Sequence, residues 1–387
     1  MEKLAEKFQK IFRSSPQIAA SAPGRINLIG EHTDYNDGYV LPVALNLNVY
    51  FLAALRSDEK VQVWAEDFQE KEEFSIKEMN SPVNKNWMKY IKGVYGVLQQ
   101  EGFKLQGIDA LIKGEVPLEA GLSSSAALEV STLYCLNYLF QMDISLEKIA
   151  LYAQRAENDF VGVRCGIMDQ FISVLGEKDK ALFLDCETLE KQMIPVHFQN
   201  RGLRILIYNS KVQRELASSE YNKRREESAV ALKILSTRGV QSYKQDRLDV
   251  LEKERKKMGE IYYKRAKHVM RENQRVKRAV KALKDDDFST LGNLIFQSHQ
   301  SLRDDYEVSC PELDLLYESA KEFKDCLGAR LTGAGFGGSG FALLEKKGIR
   351  AFEKKLLREA RKMNFPIPEF YVTEIGRGAA VRMFSNE

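Results

Sequence analysis

The sequence predicts an α+β protein of two domains. Strand-like and helix-like segments alternate from end to end without a regular βαβ series, which argues against a doubly wound sheet. The chain has 387 residues. Domains usually hold roughly 100–200 residues, so two are expected. Residues 195–202 are polar and irregular, and LRILIY at 203–208 opens a new strand. The boundary is therefore expected near residue 200, giving domains 1–200 and 201–387, the second richer in helix.

The elements follow in chain order. Segments 39–55 and 61–64 are rich in Val, Leu and aromatic residues and read as strands. Residues 86–100 suit a helix, and 108–113 a short apolar strand followed by a loop over 114–121. A long helix is expected from near Ser123 towards Phe140, a further helix over 146–159, and a buried strand over 181–185. Beyond the boundary, Val269, Val276, Val280 and Leu283 recur at helical spacing with Lys and Arg filling the opposite face. Segments 287–302 and 311–323 suggest two more helices. The chain closes with strand-like segments at 329–344 and 370–373 around a helix over 349–363.

Composition narrows the class of protein. With 44% hydrophobic and 29% charged residues, the chain is neither collagen-like nor wholly disordered. Lys and Arg number 58 against 55 Asp and Glu, a net charge of +3. A nucleic-acid or membrane-surface partner would leave a stronger basic excess. The longest apolar stretch, 40–55, is interrupted by Pro42, Asn46 and Asn48, so it is not a membrane span. The charged opening MEKLAEKFQKIF has no apolar core of a signal peptide. Five cysteines without a C-x-x-C read as reduced thiols of a cytoplasmic protein. Four histidines with no paired Cys/His spacing give no structural zinc site.

Three clusters carry chemistry. APGRINLIGEHTDYNDG, residues 22–38, packs Arg25, Glu31, His32, Asp34, Tyr35, Asn36 and Asp37 among glycines. Such a density of donors and acceptors suits a sugar, whose hydroxyls need partners in fixed positions. Asn36-Asp37-Gly38 alone would also make a solvated turn, and both readings stand. The second cluster, GLSSSAA at 121–127, follows a strand and opens a helix. Small residues there let backbone N–H groups approach an anion at the helix N-terminus. The hydroxyls of Ser123, Ser124 and Ser125 can bond phosphate or magnesium. A serine N-cap is the plainer alternative, and no Walker A motif occurs. The third cluster, GAGFGGSG at 333–340, spells G-x-G-x-x-G. It precedes a strand-like run rather than a helix, so a dinucleotide site is rejected. Either these glycines bring one backbone close to a ligand or another loop, or they form a tight turn between strands.

Isolated candidates remain. Asp169 in CGIMDQ, twelve residues after Glu157, is either paired structurally or catalytic. Tyr221 lies in ASSEYNKRR, a charged run that reads as an exposed helix face. His197, His268 and His299 have no partners at ligand spacing and are expected to be structural. The basic stretch 253–284 reads as a solvated amphipathic helix rather than a nucleic-acid surface.

In this order the three clusters resemble the GHMP small-molecule kinases, and within them the galactokinases. APGRINLIGEHTDYNDG resembles the galactokinase opening motif, GLSSSAALEV the phosphate loop and LTGAGFGGSGFAL the third motif. CGIMDQF, LASSEYNKRRE and SLRDDYEVSCPELD are also similar, so the likeness spans almost the whole chain. Glu119, Ala334 and Ser339 depart from the usual residues, and Glu119 puts a charge at the start of the phosphate loop.

The resemblance implies a two-domain GHMP fold with ATP and sugar bound in the cleft between domains. It implies transfer of a phosphoryl group from MgATP to the anomeric hydroxyl of galactose by a monomer. Asp169 would be the base and Arg25 the cation beside it. Glu31, His32, Thr33, Asp34 and Tyr221 would bind the sugar. Glu119, Ala120, Gly121, Leu122, Ser123, Ser124 and Ser125 would form the phosphate loop, with Ser125 and Glu157 holding Mg2+. Two alternatives fit the same motifs: a kinase of another sugar, and a silent sensor of galactose and ATP. The intact Ser124-Ser125-Ala126, Arg25 and Asp169 favour the enzyme.

Overall fold

The computed structural model describes residues 1–118, 120–212 and 217–384. The chain enters through helix α1 (Glu2–Phe12), whose buried Phe8 packs on Ala19, Leu52 and Leu111. Strand β1 (Ile18–Asn27) then runs into the interior, nine of its ten residues buried, so it needs cover on both faces. After a short 3₁₀ turn come β2 (Tyr39–Val40), β3 (Pro42–Leu55), β4 (Lys60–Ala65) and β5 (Glu70–Ser75). Helix α2 (Asn86–Gln100) and strand β6 (Ile108–Gly114) lead to α3 (Ser124–Leu139). Helix α3 is buried without a break from Ala126 to Leu136 and packs on β1 and β3. A helix apolar on all sides belongs in the centre of a fold, and α3 is there.

The first half closes with α4 (Leu146–Arg155), α5 (Met168–Leu175), β7 (Lys180–Asp185) and β8 (Lys191–Pro195). The helix expected over 146–159 changes character at Ala156, where Ala156–Val161 widens into a π-helical turn ending at Gly162. Strand β9 (Leu203–Asn209) opens the second half. Helices α6 (Ala217–Ser236), α7 (Leu248–Met258), α8 (Glu260–Lys284), α9 (Phe288–Asp304) and α10 (Pro311–Lys321) follow. The chain ends with β10 (Cys326–Leu331), β11 (Ser339–Glu345), α11 (Ile349–Lys362), β12 (Glu369–Thr373) and β13 (Ala380–Met383).

The strands form a six-stranded sheet ordered β13-β1-β3-β6-β4-β5, a four-stranded sheet β10-β11-β9-β12 and a three-stranded sheet β2-β7-β8. Only β4 and β6 pair in parallel; the other pairings between these strands are antiparallel. The α+β reading therefore holds. The last strand crosses back to pair with β1, Ile18 opposite Met383, so the first sheet draws on both ends of the chain. One core cluster likewise joins Ile26 and Leu28 to Val276, Leu283 and Phe341.

Several elements were not legible. Strand β1 is built from Ala, Ser, Pro and Gly rather than β-branched residues, and β5 reads EKEEFS. Helix α8 corrects the solvated-helix reading of 253–284: its polar residues Arg265, His268, Glu272, Asn273 and Arg275 are all buried. All five cysteines are unpaired, and among the described residues no helix is long and apolar enough to cross a membrane.

Candidate active site

The first and second clusters meet because β1 is pressed against the loop before α3. The ladder between β1 and β3 shifts register between Pro23 and Arg25, a bulge that re-aims the Arg25 side chain. Gly24 makes the approach possible, since a Cβ there would lie 2.6 Å from the Leu122 carbonyl oxygen. The Arg25 amide donates to that same carbonyl at 3.0 Å. The loop itself turns through left-handed backbone at Gly121 and Ser123, φ +73° and +61°.

Asp169, the second residue of α5, receives Arg25. Nε donates to Oδ1 and Nη2 to Oδ2, both at 2.7 Å, while Nη1 donates to the Gly121 carbonyl at 2.9 Å. The Ser123 hydroxyl also donates to Asp169. The first turn of α5 adds the positive end of its dipole beside the carboxylate. Arg25 is buried at 5% exposure. Burial works against its charge, yet the Asp169 and Glu31 carboxylates raise its pKa further. Asp169 keeps one side open, with 24% of its side chain exposed.

The third cluster closes over the same point. Gly333, at φ +82°, faces the Gly121 carbonyl, and a Cβ there would lie 2.9 Å from it. Both readings of these glycines hold: the segment turns the chain from β10 into its antiparallel partner β11, and its backbone closely approaches another loop.

Glu31 and His32 are buried and Asp34 and Tyr221 partly so, and the charges of Glu31 and Asp34 reach Arg25. Glu31 pairs with Arg330 of β10; burial nevertheless pushes its carboxyl up, against the charges of Arg330 and Arg25. His32 sits at φ +61°, its Nδ1 is 2.7 Å from the Tyr35 hydroxyl, and its ring packs on Tyr221 and Tyr306. Burial first, and then the His268 ring, hold His32 well below its usual pKa. Asp34 is pushed up to about 7 by burial and then by the charges of Asp169 and Glu31. It lies against Gly166, where a Cβ would overlap its carboxylate. Tyr221 departs from the exposed face expected of it: its ring packs on His32 and Tyr35, 5.7 and 5.2 Å between centroids. Thr33 is fully buried and its hydroxyl faces the carbonyls of Gly30 and Tyr39, so it braces the loop.

Ser125 and Glu157 also come together. The Ser125 hydroxyl bonds the Glu157 carboxylate, and Gln170 Nε2 donates to Glu157 at 2.9 Å. Burial, then the Asp169 charge, push Glu157 up to about 7. Among the described residues no three His, Cys, Asp or Glu side chains converge as a metal cage. Ser124 lies in the first turn of α3, and Ala120, Gly121 and Leu122 precede it; Glu119 lies outside the described residues.

The sequence reading missed Arg330, Glu272, Asn273 and Gly166. Arg330 alone left a signal: a cation in the otherwise apolar run CLGARL needs a buried partner. His268 and His299 are buried and hydrogen-bonded, His197 pairs with Asp286, and all three read as structural in the sequence.

The galactokinase galactose-binding signature matches residues 6–55, the GHMP kinase N-terminal domain residues 89–177 and the GHMP kinase C-terminal domain residues 279–361. The chain is 44% identical over 351 residues to the galactokinase of Thermotoga neapolitana, spanning 90% of this chain and 95% of that one. The chain belongs to the galactokinases. Galactokinase of Roseiflexus is 42% identical over 355 residues, 91% of this chain and 90% of its own. The crystal structure of Lactococcus lactis galactokinase complexed with galactose matches with a TM-score of 0.93 at 40% identity, over 98% of this chain and 99% of that one. The galactokinase signature contains Arg25, Glu31, His32 and Asp34, and the N-terminal domain contains Glu157 and Asp169.

Proposed function

We propose that the chain transfers the γ-phosphoryl group of ATP to the anomeric C1 hydroxyl of α-D-galactose. The products are galactose 1-phosphate and ADP, the first committed step of galactose catabolism by the Leloir pathway. The observation that carries the reading is the bidentate Arg25–Asp169 pair, set where all three motif loops converge in a member of the galactokinases. The same reading makes the enzyme a cytoplasmic monomer with no nucleic-acid partner.

The roles follow from the chemistry of each group. Arg25 grips the Asp169 carboxylate with two hydrogen bonds and offers positive charge to the phosphoryl in transit. Asp169 orients the C1 hydroxyl and accepts its proton as the C1 oxygen bonds to the γ-phosphorus. The bond from that phosphorus to the β–γ bridging oxygen breaks, and its electrons leave with ADP. Because such transfers are loose, much of Asp169's effect lies in orientation. Glu31, His32, Asp34 and Tyr221 meet the sugar hydroxyls, with Thr33 bracing their loop. A site that pairs each hydroxyl rejects an epimer by leaving buried polar groups unsatisfied.

The backbone from Ala120 to Ser125 cradles the phosphates of ATP; Glu119, expected at the start of this loop, lies outside the described residues. Ser125 and Glu157 fit a magnesium ion: they meet already, and one hydroxyl with one carboxylate leaves the other positions to phosphate oxygens and water. The bound ion would neutralise charge across the β- and γ-phosphates. The test is ATP- and magnesium-dependent phosphorylation of galactose, N-acetylgalactosamine, glucose, mannose, arabinose and galacturonate, with NMR of the product. Galactose turned over at C1 well above the rest is expected; preference for another sugar overturns the substrate, and no turnover with galactose bound overturns the enzyme.

A further inference from the structure

The loop carrying Glu31 and His32 turns through positive-φ backbone at two positions, one a glycine that accepts it freely and the other, His32, a residue that does not favour it. Gly30 sits at φ +100°, and His32 at φ +61° is a side-chain-bearing residue in the left-handed region. Such a conformation persists only where the surroundings over-determine it. Beside the local bonds from Thr33 and Asn36 to the Gly30 and His32 carbonyls, contacts come from α8, more than 230 residues away in sequence. Glu272 Oε1 accepts the Gly30 amide at 2.9 Å and the Glu31 amide at 3.4 Å. It also accepts the Ser298 hydroxyl at 2.6 Å, and Oε2 accepts Arg275 Nε at 2.6 Å. One turn earlier on α8, His268 Nε2 donates to the Glu31 carbonyl at 3.1 Å. One residue later, Asn273 Oδ1 accepts the Tyr39 amide at 2.8 Å.

We propose that Glu272 is a positioning residue for the sugar site: it fixes the backbone of Gly30 and Glu31 and thereby aims the Glu31 and His32 side chains. The inference rests on the galactose reading above. Glu272 is fully buried, and so are Ser298 and His268. Burial disfavours its charge, but Arg275 and His268 hold its pKa at about 2, so the acceptor is an ionised carboxylate. A charge-assisted acceptor holds a backbone amide more firmly than a neutral one.

The test separates positioning from mere stability. Removing Glu272 alone would strand Arg275 in the interior, so Glu272→Met is paired with Arg275→Met, an apolar exchange that buried ion pairs often tolerate. Glu272→Gln keeps an acceptor for the Gly30 amide. Calorimetry with galactose on the nucleotide-free protein and the separate KM values for galactose and MgATP are measured. In the double variant, galactose Kd and KM are expected to rise about tenfold or more, with the MgATP KM within about twofold. Glu272→Gln should recover most of the sugar affinity. A double variant that melts lower but binds galactose like wild type overturns the proposal. An equal rise in the MgATP KM overturns it too. Should the double variant not fold, Ser298→Ala carries the decision. A rise of about threefold in the galactose KM alone supports positioning, and no change refutes it. Failure of the galactose reading itself would appear in the wild-type assay, before any variant is compared.

Discussion

At the scale of single residues, the site is a set of carboxyl groups, each with its own set of neighbours. Asp169 is tied to Arg25 and Ser123, while Asp34 and Glu157 are each pushed up to about 7. Asp169→Asn keeps the shape and removes the proton acceptor. Galactose binding should persist, with kcat down by about 10²–10⁴-fold; wild-type turnover in that variant would remove Asp169 from the mechanism. Glu157 gives a second test through its proton. Its raised pKa means that the neutral acid is the favoured folded form below about 7, and a cation at its oxygens displaces the proton. MgADP binding at pH 6.5 should therefore release protons, with the release fading as the pH approaches 8. Calorimetry in buffers of different ionisation enthalpy reads this directly. Glu157→Gln should abolish most of it, and release unchanged in that variant would place the metal elsewhere.

At the scale of elements, the site is built from the C-terminal part of β1, the first turns of α3 and α5, and the middle of α8. Helix α1 lies in a different cluster, fully burying Phe8 against Ala19, Leu52 and Leu111. Phe8→Ala should cost about 3–5 kcal/mol of stability by leaving a cavity. Activity per folded molecule should not change, because the site residues belong to other contacts. Urea unfolding with a parallel rate assay decides; a change in galactose KM without loss of stability would contradict this division. The element boundaries also explain what was legible. Helix α3 and strand β3 declare themselves by long apolar runs, whereas β1 and β5 are strands through their partners in the sheet. Helix α8 has the spacing of an amphipathic helix. Its buried polar residues find partners within the helix itself, on α6 and α9, and on the loop at residues 30–31, and the distant ones leave no mark in the local spacing.

At the scale of the whole molecule, the two halves are joined by more than a linker. Strand β13 returns to β1, and Arg330 of β10 reaches the Glu31 carboxylate across 299 residues of sequence. Both members of that pair are almost fully buried. Arg330→Met leaves the buried Glu31 carboxyl without its partner and should destabilise the protein by about 3–5 kcal/mol. Urea unfolding of the variant checks it, and a loss below about 1 kcal/mol would mean that Arg25 suffices for Glu31.

Contiguous features were therefore readable from the sequence by itself: the α+β class, the long helices and the three loops dense in glycine and polar groups. Each depends on neighbours within one turn or one strand, where spacing and backbone freedom decide. Tertiary structure alone decided which of these loops meet. Arg25 finds Asp169 144 residues away, and Asp34 finds room only because Gly166 has no side chain. A lone arginine, glutamate or glycine carries no mark of a partner so distant. The reason is physical: burial charges a large desolvation cost to each such group, and only the folded chain supplies the partner that offsets it.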